Sequence, residues 1–81
     1  MRNNAAENGI MQETEIAKLQ LYLRRRFNDE NLSVRDRANK DDSAEVYIGD
    51  EFIGVLFKDE DEGEVSYDFN MAILEIDLPQ G

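Results

Sequence analysis

Eighty-one residues with no cysteine, no histidine and a formal net charge of −10 describe one small domain that must fold on its apolar core alone. The missing cysteines exclude disulfides and thiolate metal sites. No apolar run approaches the roughly 20 residues of a membrane span, and Met1–Glu7 lacks a hydrophobic signal core, so a cytoplasmic setting is expected.

Charge is unevenly spread. Residues 18–40 carry +4, residues 41–81 carry −12 and the first 17 carry −2. Such asymmetry bears on partners, not on fold, and an excess of acid disfavours a phosphate backbone.

Residues 1–13 read as a disordered tail, small and polar with Asn8-Gly9 near their middle. From Thr14 the pattern turns helical. Ile16, Leu19, Leu23 and Phe27 recur at spacings of three and four and form one apolar stripe. Tyr22 flanks the stripe, while Glu15, Lys18 and Arg25 point away. Thr14 is the expected N-cap, Glu15 suits the positive end of the helix dipole, and Arg24, Arg25 and Arg26 suit its negative end. Asn28-Asp-Glu-Asn31 ends the helix.

Leu32–Ala38 alternates imperfectly, with Leu32, Val34 and Ala38 inward and Ser33, Arg35 and Arg37 outward. The inward Asp36 marks an edge or a bulge. Asn39–Asp42 is a turn. Gly49-Asp50 then suits a two-residue hairpin with glycine in its positive-φ position. That turn sets Ile48 against Glu51, Tyr47 against Phe52, Val46 against Ile53 and Ala44 against Val55. A three-residue loop Asp61-Glu62-Gly63 sets Glu60 against Glu64, Phe57 against Tyr67, Val55 against Phe69 and Ile53 against Met71. Both registers place Ala44, Val46, Ile48, Ile53, Val55, Phe57, Tyr67, Phe69 and Met71 on one core face.

A helix of about fourteen residues spans roughly 21 Å, matching strands of about 22 Å. The expected fold is therefore α+β: one N-terminal helix packed on a four-stranded antiparallel meander sheet, a two-layer sandwich. The single domain covers residues 14–78, followed by a tail at 79–81. The second sheet face then holds Arg35, Arg37, Glu45, Tyr47, Phe52, Gly54, Leu56, Asp68, Asn70 and Ala72. Leu74, Ile76 and Leu78 join it if the last strand stays in phase, or turn toward the core if a bulge follows Ile73. An uncovered Tyr47–Phe52–Leu56 cluster is more apolar surface than monomers usually expose, unless a terminal segment folds over it.

Chemistry is scarce. Without His or Cys the two commonest neutral-pH bases and nucleophiles are missing, and the carboxylates crowd turns instead of flanking an apolar pocket. No catalytic residue, cofactor or metal is expected. Lys58–Glu64 imitates a calcium loop only at Asp59 and Asp61, since Gly63 takes the fifth place and Asn70 the twelfth. Arg24, Arg25, Arg26, Arg35 and Arg37 with Tyr47 and Phe52 could imitate an RNA-binding sheet. Glu45 and Asp68 interrupt that surface, and Arg37 opposite Glu45 is more simply an ion pair.

Glu15-Ile-Ala-Lys-Leu-Gln-Leu-Tyr-Leu-Arg-Arg-Arg-Phe27, Asp42-Ser-Ala-Glu-Val-Tyr-Ile-Gly-Asp-Glu-Phe-Ile-Gly-Val-Leu56 and Ser66-Tyr-Asp-Phe-Asn-Met-Ala-Ile-Leu74 resemble an uncharacterised family of small acidic proteins from alphaproteobacteria. The resemblance covers about residues 15–78 and implies a bacterial cytoplasmic protein. The family is a domain of unknown function, so no site residue follows from it. The functional expectation is a non-catalytic interaction module, self-associating or docking a protein partner through Tyr47, Phe52, Leu56 and the Arg35/Arg37 rim. A nucleic-acid-associated regulator using the arginines is the alternative.

Overall fold

The computed structural model describes residues 11–37 and 42–80. A helix, α1 (Glu13–Phe27), precedes strands β1 (Leu32–Asp36), β2 (Ser43–Ile48), β3 (Glu51–Asp61) and β4 (Glu64–Asn70), and a 3₁₀ turn follows at Glu75–Asp77. The strands form one antiparallel sheet in the order β1-β2-β3-β4. This is the expected α+β arrangement of one helix on a four-stranded meander. The expected tail residues 1–10, Ala38 and most of the turn at 39–42 lie outside the described residues.

The helix begins before Thr14. Gln12 is the extended capping residue, and its N–H donates to Glu15 Oε1 at 2.8 Å, satisfying a group the first turn would otherwise leave bare. Met11, expected in the tail, is 4% exposed and belongs to the core. At the other end Asn28 adopts φ 55° and ψ 48°. The Asn28 and Asp29 amides reach back to the Arg25 and Arg24 carbonyls at 3.3 and 3.0 Å, the left-handed closure that satisfies terminal carbonyls.

α1 packs chiefly against β1, and one turn of it covers that edge strand's backbone. Val34 N–H donates to Gln20 Oε1 at 3.1 Å, and Arg24 Nε donates to the Leu32 carbonyl at 2.7 Å. The two side chains stand four residues apart, on one helix face. Polar groups that would invite a foreign strand are thus satisfied internally.

The core consists of Met11, Leu23, Leu32, Val34, Ala44, Val46 and Leu56, with Ile16, Leu19, Ile53, Tyr67 and Phe69 packed around it. β1, β2 and β4 present the faces read from the sequence, but β3 does not. Its first pairs, Ile48 with Glu51 and Tyr47 with Phe52, are as expected; then a bulge intervenes and Val46 pairs with Gly54 and Ala44 with Leu56. Ile53 is the extra residue. From there Gly54, Leu56 and Lys58 face the helix, and Val55 and Phe57 face outward, opposite to expectation.

The β3–β4 turn is also one residue shorter than expected. Asp61 pairs with Glu64, and Glu62 and Gly63 have φ of 54° and 84°, the double left-handed signature of a two-residue type I′ turn. Leu56 therefore pairs with Phe69 and Lys58 with Tyr67. The two one-residue differences cancel across β3, which is why β4 keeps its expected face while β3 is inverted between its neighbours.

Gly54 explains the choice. A Cβ there would lie 2.5 Å from the Asn70 carbonyl oxygen and 2.6 Å from the Phe69 ring, so only glycine admits that ring on the core side. Gly54, placed on the second sheet face by alternation, therefore lies on the covered face instead. After Asn70 the strand stops. Met71, Ile73, Leu74, Ile76 and Leu78 are all exposed, joining neither the core nor an extended fourth strand.

Candidate binding surface

The sheet face turned away from α1 is built from alternate positions. Arg35 pairs with Glu45, Glu45 with Val55, and Val55 with Asn70 across the four strands. Tyr47 and Phe52 stand opposite each other before the bulge, where a directly facing aromatic pair contributes about 0.2–1 kcal/mol. Their ring centroids are 5.7 Å apart at 73°, the edge-on geometry that the aromatic quadrupole favours. Arg35 lies over the Tyr47 ring, its Cζ 3.9 Å from the centroid. The guanidinium is held there by Nε–H donation to Ser33 Oγ at 3.2 Å and by an Nη2 contact of 3.3 Å to the Gly49 carbonyl.

Tyr47 Oη donates to Glu45 Oε1 at 3.1 Å. That bond to a carboxylate, desolvation and the Glu45 charge together raise the phenol above its ordinary 10.0, against the pull of Arg35. The residue is a neutral donor fixed from two sides. Phe52 is 50% exposed and Phe57 39%, so the arrangement presents an ordered aromatic surface with a cation at its edge.

Of the five residues expected here, Arg35, Tyr47 and Phe52 come together. Leu56 does not: it is 2% exposed, beneath the helix, because the Ile53 bulge turned it inward. Val55 and Phe57 take its place. Arg37 lies one residue beyond the end of β1, half-buried. Phe52, Val55 and Phe57 line one side of an open cleft of about 1020 Å³, and Asn70–Leu74 and Asp77 line the other. The terminal segment thus borders the face without closing it. The arginines at the end of α1 belong to the opposite layer.

A second cluster was not anticipated. Lys58, on the core face of β3, is nearly buried and pairs with Glu15 Oε2 at 2.8 Å and Glu60 Oε2 at 3.4 Å. Tyr67 Oη donates to the same Glu15 oxygen. Glu15 therefore turns toward the sheet instead of away from it. Desolvation acts to raise the Glu15 carboxyl, but the Gln12 amide, Lys58 and Tyr67 outweigh it and the net shift is downward. For Lys58 desolvation acts downward and the bonds and charges of Glu15 and Glu60 win, giving a raised ammonium. Burial first, then Glu15, pushes Tyr67 up to about 12. Each group is held in its ordinary neutral-pH form, the reverse of what a proton-transferring residue needs. This is a strut between helix and sheet. The only sequence signal for it was a lone lysine in an acidic half, legible once its strand phase is known.

Among the described residues no group of three His, Cys, Asp or Glu side chains could hold a metal ion, and no helix is long and apolar enough to cross a membrane.

Residues 15–77 match the model of DUF3126, a family described as proteins of unknown function, and the chain belongs to that family. No curated protein and no solved structure matches it.

Proposed function

We propose that this protein is a non-catalytic interaction module whose outer sheet face receives a protein partner. The observation that carries the reading is the Arg35–Tyr47–Phe52 stack, an immobilised aromatic pair under a guanidinium that no segment among the described residues covers. Tyrosine and arginine in ordered, centrally placed clusters are where binding energy concentrates at protein interfaces. Val55 and Phe57 extend the patch along β3, and the charges around it tune encounter more than affinity.

Acids argue against a nucleic-acid platform. Arg35 shares its face with Glu45 and Asp68, while Arg25 and Arg26 sit on the helix, in the other layer, so among the described residues the bases form no continuous track for phosphates. The absence of His and Cys from the chain and the strongly held protonation of Lys58 and Tyr67 argue against catalysis. A bacterial, cytoplasmic setting is part of the same proposal and rests on the family resemblance.

Affinity capture with the intact chain from a native extract, identified by mass spectrometry, tests it. The Tyr47→Ala/Phe52→Ala variant should lose the captured partner while its circular dichroism is preserved. Capture that survives this double truncation, or a salt-steep gel shift of RNA or DNA by a chain that captures no protein, would overturn the reading in favour of the arginine-centred alternative.

A further inference from the structure

A groove of about 450 Å³ opens between α1 and β4, on the face opposite the Tyr47–Phe52 patch. Leu19, Tyr22, Leu23 and Phe27 of the helix line one wall, and Leu56, Tyr67 and Phe69 of the sheet line the other. The volume falls within the roughly 300–1,000 Å³ of sites that take a ligand or a side-chain cluster. Phe27 and Phe69, from opposite walls, bring their ring centroids to 6.4 Å. Tyr22 and Phe27 remain more than half exposed, so the groove is apolar and no described residue fills it. Among the described residues the single charged one lining it is Arg26, with Arg25 beside it in the last helical turn.

The same chain carries a segment with the complementary character. Ile73, Ile76 and Leu78 are exposed to 66%, 84% and 50%, and Glu75 and Asp77 alternate with the last two. Exposure on this scale in so short a stretch is unusual for a settled surface. The segment lends Met71–Leu74 and Asp77 to one wall of the nearby outer cleft, but Ile76 and Leu78 do not line it and stay exposed. Nor does it reach the groove in its own chain. It runs on from β4 beside Glu51–Gly54, and none of its residues is among those that line the groove.

We infer that this groove receives the C-terminal segment of a second copy of the chain, with Ile76 and Leu78 between α1 and β4 and Glu75 and Asp77 against Arg25 and Arg26. Because each copy owns one groove and one segment, reciprocal exchange closes a two-fold dimer. It doubles the contact area toward the roughly 1,200–2,000 Å² of a specific interface. The contact uses neither Tyr47 nor Phe52, so it goes beyond the outer-face proposal and stands or falls separately.

Sedimentation equilibrium of the full chain, from micromolar to millimolar concentration, tests the dimer. The wild type should associate, and Ile76→Asp/Leu78→Asp should weaken association roughly tenfold or more with unchanged circular dichroism, since both side chains are exposed. Arg26→Glu should also weaken it, and adding Glu75→Arg and Asp77→Arg to the same chain should restore it. In this cysteine-free protein, mixing the single variants Ile76→Cys and Tyr22→Cys should give the mixed disulfide in excess over either homodisulfide. A wild type monomeric at every concentration overturns the inference. So does association unaffected by the Ile76/Leu78 variant but abolished by Tyr47→Ala/Phe52→Ala, and so does a Tyr22→Cys/Ile76→Cys chain that closes its disulfide only within itself.

Discussion

Leu32, Val34, Ala44 and Val46 of β1 and β2 lose almost all exposure beneath α1, whereas β3 adds only Leu56 and the side-chain-free Gly54 to the buried set and β4 adds none among the described residues. The helix lies on β1, sealing its outer backbone edge with Gln20 and Arg24, while over β3 and β4 it leaves a groove and an ion pair. Burying an aliphatic side chain contributes about 1.5–3 kcal/mol, so cohesion is concentrated in the first half of the sheet. The second half carries the polar strut, the open groove and most of the acid, and the outer aromatic pair straddles the two halves, Tyr47 on β2 and Phe52 on β3. One layer architecture thus serves two purposes: one half is closed to make the fold stable, and the other is left incompletely covered where contacts can form.

The largest expected effect probes Leu56, the large side chain that β3 buries most completely. Leu56→Asp should cost several kcal/mol, a large part of the stability of so small a domain, because it places an unpaired charge beneath the helix. Val55→Asp, on the outer face, should cost about 1–2 kcal/mol. Urea denaturation of the two variants measures both, and equal losses would erase the distinction between the faces of β3.

A middle-sized effect should appear in the pH dependence, because the Glu15–Lys58–Tyr67 strut ties the helix start to the second half. Glu15 titrates below its ordinary 4.5 in the folded protein. Its contribution is therefore present above pH 4.5 and lost as pH falls through the lowered value. Lys58 and Tyr67 are raised above 10.5 and 10.0, Tyr67 to about 12. Their contributions are complete below pH 10 and fade as pH climbs toward 12 and beyond. Glu15→Gln should lower the neutral plateau and flatten the acid limb in unfolding free energy measured against pH. A variant whose curve overlays the wild type would mean that the second half gains nothing from the strut.

The smallest effect lies at the far tip. Glu62 holds a left-handed φ of 54°, which costs an ordinary residue roughly 1–2 kcal/mol and asparagine less. Glu62→Asn would give the Asn-Gly pair that two-residue hairpins favour and relieve one of the clustered acids. A rise of up to about 1 kcal/mol is expected by thermal unfolding. No rise would indicate that the tip is already frayed and outside the cooperative unit.

Strong, unambiguous periodicity made most of the fold legible. The Ile16–Leu19–Leu23 stripe, the alternation of β2 and β4, and the glycines at 49 and 63 were enough for the helix, the hairpins, the antiparallel order and the membership of Tyr47, Phe52 and Arg35 in one face. β3 resisted because Phe52-Ile-Gly-Val-Leu-Phe57 is apolar in both phases, so alternation offered no choice between Val55/Phe57 and Leu56. The acidic run Asp59–Glu64 accepted a two- or a three-residue turn equally well.

What the chain's own pattern determined, then, is the set of elements and the inward face of every strand whose two sides differ in polarity, since burial free energy discriminates those sides locally. Only the tertiary structure decided the phase of β3, the burial of Leu56, the inward turn of Glu15 toward Lys58 and the burial of Met11 in the core. Each depends on a contact between residues far apart in sequence or on the fit of one ring. Phe69 can lie against the core only where its neighbour lacks a Cβ, and that requirement at Gly54, not any local preference, set which side of β3 is inside.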